Sequence, residues 1–175
     1  PAELVERLHL SYHRIRDGLG FRRSAARFGA LPIDAYSHTP GDRGAQQPGM
    51  TGQVKEELIT RRMELGLRFD SGKIRFTPSL LLDEEWRTDD GDWSIPAGDR
   101  VPARRVSIPA PGLGFQMCGV PVVYQRGDGL TRIHLTDQAG STTIIEGDTI
   151  DAETARGIFE RDGSISMITV DVSSL

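Results

Sequence analysis

Cysteine is almost missing: Cys118 is the only one in 175 residues. That excludes an intramolecular disulfide and leaves a thiolate metal site without a second ligand. Its neighbourhood, Gly114-Phe115-Gln116-Met117-Cys118-Gly119-Val120, reads as strand, so Cys118 is expected to be a small buried hydrophobe. Long apolar runs are also absent, none approaching the roughly 20 residues of a membrane-spanning helix, and the N-terminus lacks the charged-then-apolar pattern of a secretory signal. No membrane segment is expected. The chain begins at Pro1 without an initiator Met, as an excised piece of a longer polypeptide would. An excess of one charge is lacking too. Lys and Arg number 21 against 25 Asp and Glu, a net charge of -4, and no basic stripe concentrates on one face. Phosphate-backbone binding has no electrostatic footprint, so nucleic acid is not an expected partner. No repeat period or low-complexity tract is visible.

What is present suffices for one ordinary domain, or one domain plus a piece of another. Hydrophobic residues make up 37% and cluster in short runs, enough for a modest core. From Ala2 to Arg16, Leu4, Val5, Leu8, Tyr12 and Ile15 fall at helical spacing, with Glu3 and Glu6 early and Arg14 and Arg16 late, an order that suits the helix dipole. A stretch from 17 to 50 follows with three prolines and six glycines, in which only Ser24 to Phe28 suggests a turn of helix. Its Phe21, Phe28, Leu31, Ile33 and Tyr36 argue for an ordered loop rather than disorder. Thr51 then caps a second helix, with Val54, Leu58 and Leu65 on one face and Gly66 as its stop.

Beyond Gly66 the period changes to two. Leu67, Phe69, Ile74 and Phe76 alternate around Asp70-Ser71-Gly72, which predicts a hairpin with a three-residue loop. Short strands are expected at Leu80 to Leu82, Arg104 to Ile108, Gly114 to Cys118, Val120 to Gln125, Leu130 to Thr136, Thr142 to Glu146 and Ile165 to Val172, with turns at Asp89-Asp90-Gly91-Asp92 and Arg126-Gly127-Asp128-Gly129. Asp151 is placed to cap a short helix ending at Asp162-Gly163. The predicted fold is α+β and mainly β: a helical segment over 1–66 with a long loop over 17–50, then an antiparallel, sandwich-like β domain over 67–175 with one short helix near its end.

The densest polar segment runs from Pro32 to Pro40 and continues from Gly44 to Gln53. Asp34, Tyr36, Ser37, His38, Thr51 and Gln53 supply a carboxylate, a phenol, hydroxyls, an imidazole and an amide, the donor and acceptor set that a sugar pocket uses. The same residue types also build plain turns and caps. Ser37, His38 and Asp34 lie in one irregular run without a nucleophile elbow, which argues against a hydrolytic triad. His9 and His13 are one helical turn apart, but no third ligand follows in the spacing of a zinc protease, so no metal site is expected. Asp17-Gly18-Leu19-Gly20 and Gly112-Leu113-Gly114 lack the context of a nucleotide loop and read as turns; no cofactor is expected. Glycosidic cleavage ordinarily needs two carboxylates. Near the loop only Asp34, Glu56 and Glu57 are available, and the two glutamates suit the first turn of a helix without any catalytic part. No catalytic residue is assigned.

The run from Gly49-Met50-Thr51-Gly52-Gln53-Val54-Lys55-Glu56-Glu57-Leu58, through Glu64-Leu65-Gly66-Leu67-Arg68-Phe69-Asp70-Ser71-Gly72-Lys73-Ile74-Arg75-Phe76, to Thr77-Pro78-Ser79-Leu80-Leu81 resembles the C-terminal junction of six-hairpin α/α-toroid carbohydrate-active proteins. Inverting disaccharide phosphorylases and related bacterial proteins of unassigned activity are nearest in layout. The resemblance implies that residues 2 to 66 are the last helices and loop of a toroid, with the catalytic acid in helices outside this chain. Tyr36, Ser37, His38, Thr51 and Gln53 would then contribute substrate contacts at the barrel mouth. The expected function is the C-terminal portion of a glycoside hydrolase- or phosphorylase-like protein, catalytically incomplete alone, with an oligo- or polysaccharide and the remainder of a larger polypeptide as partners. The alternative is a non-catalytic β-sandwich binding or interaction module with a helical arm, through which it could self-associate.

Overall fold

The structure is a computed structural model describing residues 2–18, 33–34, 47–48, 51–97, 103–127 and 129–173. The chain divides into two compact units, Pro1–Arg61 and Arg62–Leu175. In the first, helix α1 spans Ala2–Gly18, with Glu3 in its first turn and Arg16 in its last, the polarity that the helix dipole favours. Two-residue strands β1 (Ile33–Asp34) and β2 (Gln47–Pro48) pair antiparallel. Helix α2 covers Thr51–Glu64 and its last turn falls in the second unit. Of the stretch from 17 to 50, only the end of α1 and this small ladder are described; the suggested turn at Ser24 to Phe28 lies outside the described residues. No described helix is long and apolar enough to cross a membrane.

The second unit is mainly β, with the short helix α3 (Ala152–Glu160) near its end. A hairpin of β3 (Leu67–Asp70) and β4 (Lys73–Phe76) opens it. The loop is tighter than the sequence suggests: Asp70 pairs with Lys73, leaving only Ser71 (φ 50) and Gly72 (φ 78). Two successive left-handed residues match the right-handed twist of the flanking strands. Leu80 to Leu82 do not form a strand. The Leu82 N–H instead donates to the Glu85 carboxylate at 2.8 Å, starting a 3-10 turn over Asp83–Glu85. Strand β5 (Gly91–Ile95) begins inside the predicted Asp89–Asp92 turn and pairs with β6 (Arg104–Ile108).

The remaining strands are β7 (Gly112–Met117), β8 (Val120–Gly127), β9 (Arg132–Asp137), β10 (Thr142–Glu146), β11 (Thr149–Ile150) and β12 (Ile165–Ser173). They build a five-stranded sheet in the order β10-β9-β12-β8-β7, while β11 joins β4 and β3. All pairings are antiparallel except β8 with β12, which is parallel. Parallel neighbours need a long crossover, here the whole segment from β9 through α3.

Three layers result. One face of the large sheet, carrying Val122, Tyr124, Ile133, Leu135, Ile168 and Val170, packs on Ile74, Phe76 and Ile150 of the small sheet and on Ala155 and Ile158 of α3. On the opposite face Val123 packs with Ile95, Val106 and Ile108 of the β5–β6 hairpin. Strand β8 is therefore buried on both sides, which explains why Val120 to Tyr124 is an unbroken buried run. Gly114 makes room for the hairpin, since a Cβ there would stand 2.6 Å from Ile108 Cδ1.

Within the second unit, the segment that leads into β3 is held at two points. Gly66 has φ +68, and an added Cβ would fall on the Thr77 carbonyl, so only glycine fits. Tyr124 is fully buried and donates its hydroxyl to the Leu65 carbonyl at 2.6 Å. Tyr124→Phe leaves that helix-terminal carbonyl buried without a donor. Urea unfolding should show a loss of about 1–3 kcal/mol with an unchanged m-value.

Candidate functional site

The polar loop read from the sequence is only partly described. Asp34 lies on β1, with its backbone paired opposite Gln47, so the two ends of the 35–46 segment are brought together. Thr51 is the first residue of α2 and Gln53 lies in its first turn. The side chains of Asp34, Thr51 and Gln53 are outside the described part, as are Tyr36, Ser37 and His38 entirely. On α1, His9 and His13 stack edge to face at 4.6 Å and Tyr12 meets His13 at 5.1 Å. No group of three metal-ligating side chains occurs among the described residues.

A concave site that the sequence reading missed lies in the β unit. The loop end of the β5–β6 hairpin, at Ile95 and Arg104, the β7–β8 turn and the C-terminal end of α3 enclose a cleft of about 480 Å³, within the roughly 300–1,000 Å³ range of small-ligand pockets. Ile95, Val120, Ile158 and Ile165 give it apolar walls, and Arg104, Gln116, Gln138, Glu160, Arg161 and Asp162 supply polar groups.

Arg104 crosses from β6 to two other elements. Its Nη1 donates to Ser166 O at 2.6 Å and its Nη2 to Gly119 O at 3.3 Å. The first acceptor exists because the β9–β12 ladder shifts register between Ile165 and Met167; such a bulge frees a main-chain carbonyl from regular pairing. The Ser166 hydroxyl reaches the Thr136 and Asp137 carbonyls at 3.0 and 2.6 Å, which anchors the bulge. Arg104 Nε is buried and makes no hydrogen bond. Burial pushes the guanidinium pKa below its ordinary value, as expected for a charge taken partly out of water.

Backbone conformation marks the same place. Among the described residues only Ser71, Cys118 and Arg161 are non-glycine with positive φ, and Cys118 and Arg161 both line the cleft. Cys118 (φ 52) and Gly119 (φ 86) form the β7–β8 turn, so the cysteine stands in a turn rather than a strand. It is half-buried and packs against the main core. Arg161 (φ 55) ends α3, with Asp162 N–H returning to Gly157 O at 3.1 Å, a closure in which glycine usually takes the left-handed position. Asp162 accepts from Ser164 N–H at 2.8 Å, and that bond is the main cause holding its carboxyl below the ordinary carboxylate range. Asp151, the N-cap of α3, is lowered in the same sense, chiefly by the Thr154 N–H.

A second polar pair lies on the large sheet, where His134 Nε2 meets Asp171 Oδ2 at 2.9 Å. Its same-face neighbours are themselves paired, Arg132 with Glu146 and Thr136 with Thr142, and among the described residues its side-chain bond is to Asp171 rather than to a hydroxyl. Cross-strand stabilisation accounts for it. The cleft is thus suited to binding, and shows no nucleophile–base pair among the described residues. Its residues come from separated segments with no characteristic spacing; the one local signal was a helix stop in which arginine stands where glycine is usual. No family model matches the chain and no curated protein matches it.

Two outcomes are expected. Arg161→Gly relieves the left-handed backbone and should raise stability by up to about 1 kcal/mol in urea unfolding. Asp151 and Asp162 have folded pKa values below their unfolded ones, so their contribution is complete above the unfolded pKa and is lost as pH falls through the folded value. The Asp151→Asn/Asp162→Asn variant should melt below the parent at pH 7, with the difference closing as pH falls below the ordinary carboxylate range.

Proposed function

We propose that this chain is the C-terminal portion of a carbohydrate-processing protein of glycoside hydrolase or phosphorylase type, whose helical segment is completed by further helices and whose β unit is an accessory binding domain. The observation that carries the reading is the inverted burial of α1. Leu4, Val5, Leu8 and Ile15 fall within an arc of about 100° on a helical wheel, and each is more than half exposed, as is Leu10 outside the arc. His13, on the other side, is buried, as is Arg16. An isolated surface helix does the reverse. A stripe of four large aliphatic side chains in water is stabilised by docking, at about 1–2 kcal/mol per side chain covered. Packed neighbours on more than one side are what a helix within an α/α toroid has, in keeping with the resemblance of the Gly49 to Leu81 junction. On α2, Leu58, Ile59 and Met63 are also exposed.

The second reading, a non-catalytic binding module with a helical arm, is favoured by one observation: residues of the β unit alone enclose a core and a ligand-sized cleft. The two readings differ in what the stripe docks on and in whether chemistry follows. Leu8→Glu/Ile15→Glu should lower the binding of an apolar dye several-fold while leaving the near-ultraviolet signal of Trp86 and Trp93 intact. Adding the helical region of the toroid in trans should then yield phosphorolysis or hydrolysis of a disaccharide with the parent chain and not with the variant. A monodisperse dimer that the double substitution dissociates, with no sugar turnover in any mixture, would overturn the first reading and leave the second.

A further inference from the structure

Arg104 sets a positive charge at the wall of the cleft, and among the described residues its hydrogen bonds run to main-chain carbonyls alone. Its two bonds run to Ser166 O and Gly119 O, and none of the ion pairs formed among the described residues includes it. A partly desolvated charge is costly unless a counter-charge or full hydrogen bonding offsets it, and its Nε–H is left unbonded. The rest of the cleft is rich in acceptors. Gln116 and Gln138 commit their amide nitrogens to Gly119 O and Gly163 O, at 3.0 Å each, which turns their amide oxygens into acceptors held in place. Glu160 and Asp162 add carboxylates.

We propose that the cleft binds a small hydroxylated monocarboxylate of the sugar-acid class. The ligand carboxylate pairs with the Nη edge of Arg104, supported by Arg161. Its hydroxyls donate to the oxygens of Gln116, Gln138 and Glu160, and its C–H face lies on Val120 and Ile158. Guanidinium and carboxylate form a strong charge-assisted pair, whereas a phosphate dianion would be repelled by Glu160 and Asp162. Both non-glycine left-handed residues of the cleft, Cys118 and Arg161, fit a site where backbone strain accompanies function. The sugar portion of this inference rests on the carbohydrate reading; the carboxylate subsite does not.

The test is a two-dimensional amide NMR titration of the full chain with glucuronate, glucose, inorganic phosphate and the neutral disaccharide cellobiose. Glucuronate should shift Gly119, Gln138 and Gly163 saturably, with glucose and phosphate at least about tenfold weaker. Arg104→Met should weaken glucuronate by about tenfold or more. Because Arg104 also ties β6 to β12 and to the β7–β8 turn, the exposed Gln138→Ala provides a second variant, expected to weaken binding several-fold without altering the remaining spectrum. Absence of glucuronate shifts in the cleft, equal affinity for glucose, or unchanged affinity in folded Arg104→Met or in Gln138→Ala overturns the proposal. If cellobiose shifts resonances elsewhere while the cleft is silent to glucuronate, this inference fails and the carbohydrate reading stands. Glucuronate bound in the cleft, with no turnover once the toroid helices are added, is the converse.

Discussion

The buried hydroxyl of Tyr124 is the interaction on which the arrangement of the β unit turns. A helix leaves its last carbonyls without intrahelical donors, and one of those following α2, that of Leu65, lies where water does not reach. Tyr124 supplies the donor from the middle of β8. Its ring also meets Phe115 edge to face at 5.1 Å and Phe76 at 6.1 Å. One side chain thus joins the helix end, the β3–β4 hairpin and the large sheet. Burial raises the phenol pKa above its ordinary value, which favours the protonated, donating form.

The first consequence concerns direction. With the helix end fixed at Leu65 and turned at Gly66, the hairpin lies flat on the sheet and α3 fills the remainder of that face. The C-terminal end of α3 then comes beside the β7–β8 turn, and the cleft is the space left between them and the β5–β6 hairpin. Its polar residues follow from this closure. Arg104 must span to a bulge and a turn because the second hairpin has no ladder to the sheet, and the carbonyls it reaches hold it without neutralising it.

Where a single element carries its own pattern, the sequence was informative. The 3.6-residue spacing of α1, the Thr51 start and Gly66 stop of α2, the alternation about Ser71-Gly72 and the Asp151 cap all lie in short contiguous stretches. Strand β5 was hidden because its first two residues, Gly91 and Asp92, belong to the turn chemistry of Asp89-Asp90-Gly91-Asp92, and β11 is too short to show a period. Leu80 to Leu82 are apolar enough for a strand, yet Leu81 is buried in an irregular segment and the Leu82 N–H serves a 3-10 turn. The cleft was illegible for another reason: Ile95, Arg104, Gln138 and Asp162 become neighbours only through strand order. The α1 stripe was legible as a helix face, but its periodicity carried no sign of which face would be buried.

The place of β12 reaches beyond the finished structure. It is the last strand in the chain, yet it lies between β8 and β9 in the middle of the large sheet. Two strands adjacent in sequence must therefore wait, apart, for a third that begins well beyond them, since β9 ends at Asp137 and β12 begins at Ile165 with the bulge still to set. Until then β8 and β9 each present an unpaired edge lined with β-branched side chains, and both of the pairings that β12 makes join strands distant in sequence. Such a topology raises contact order and slows folding. It also exposes the nascent chain to edge-to-edge association during synthesis, a hazard that a helper binding extended apolar segments would relieve.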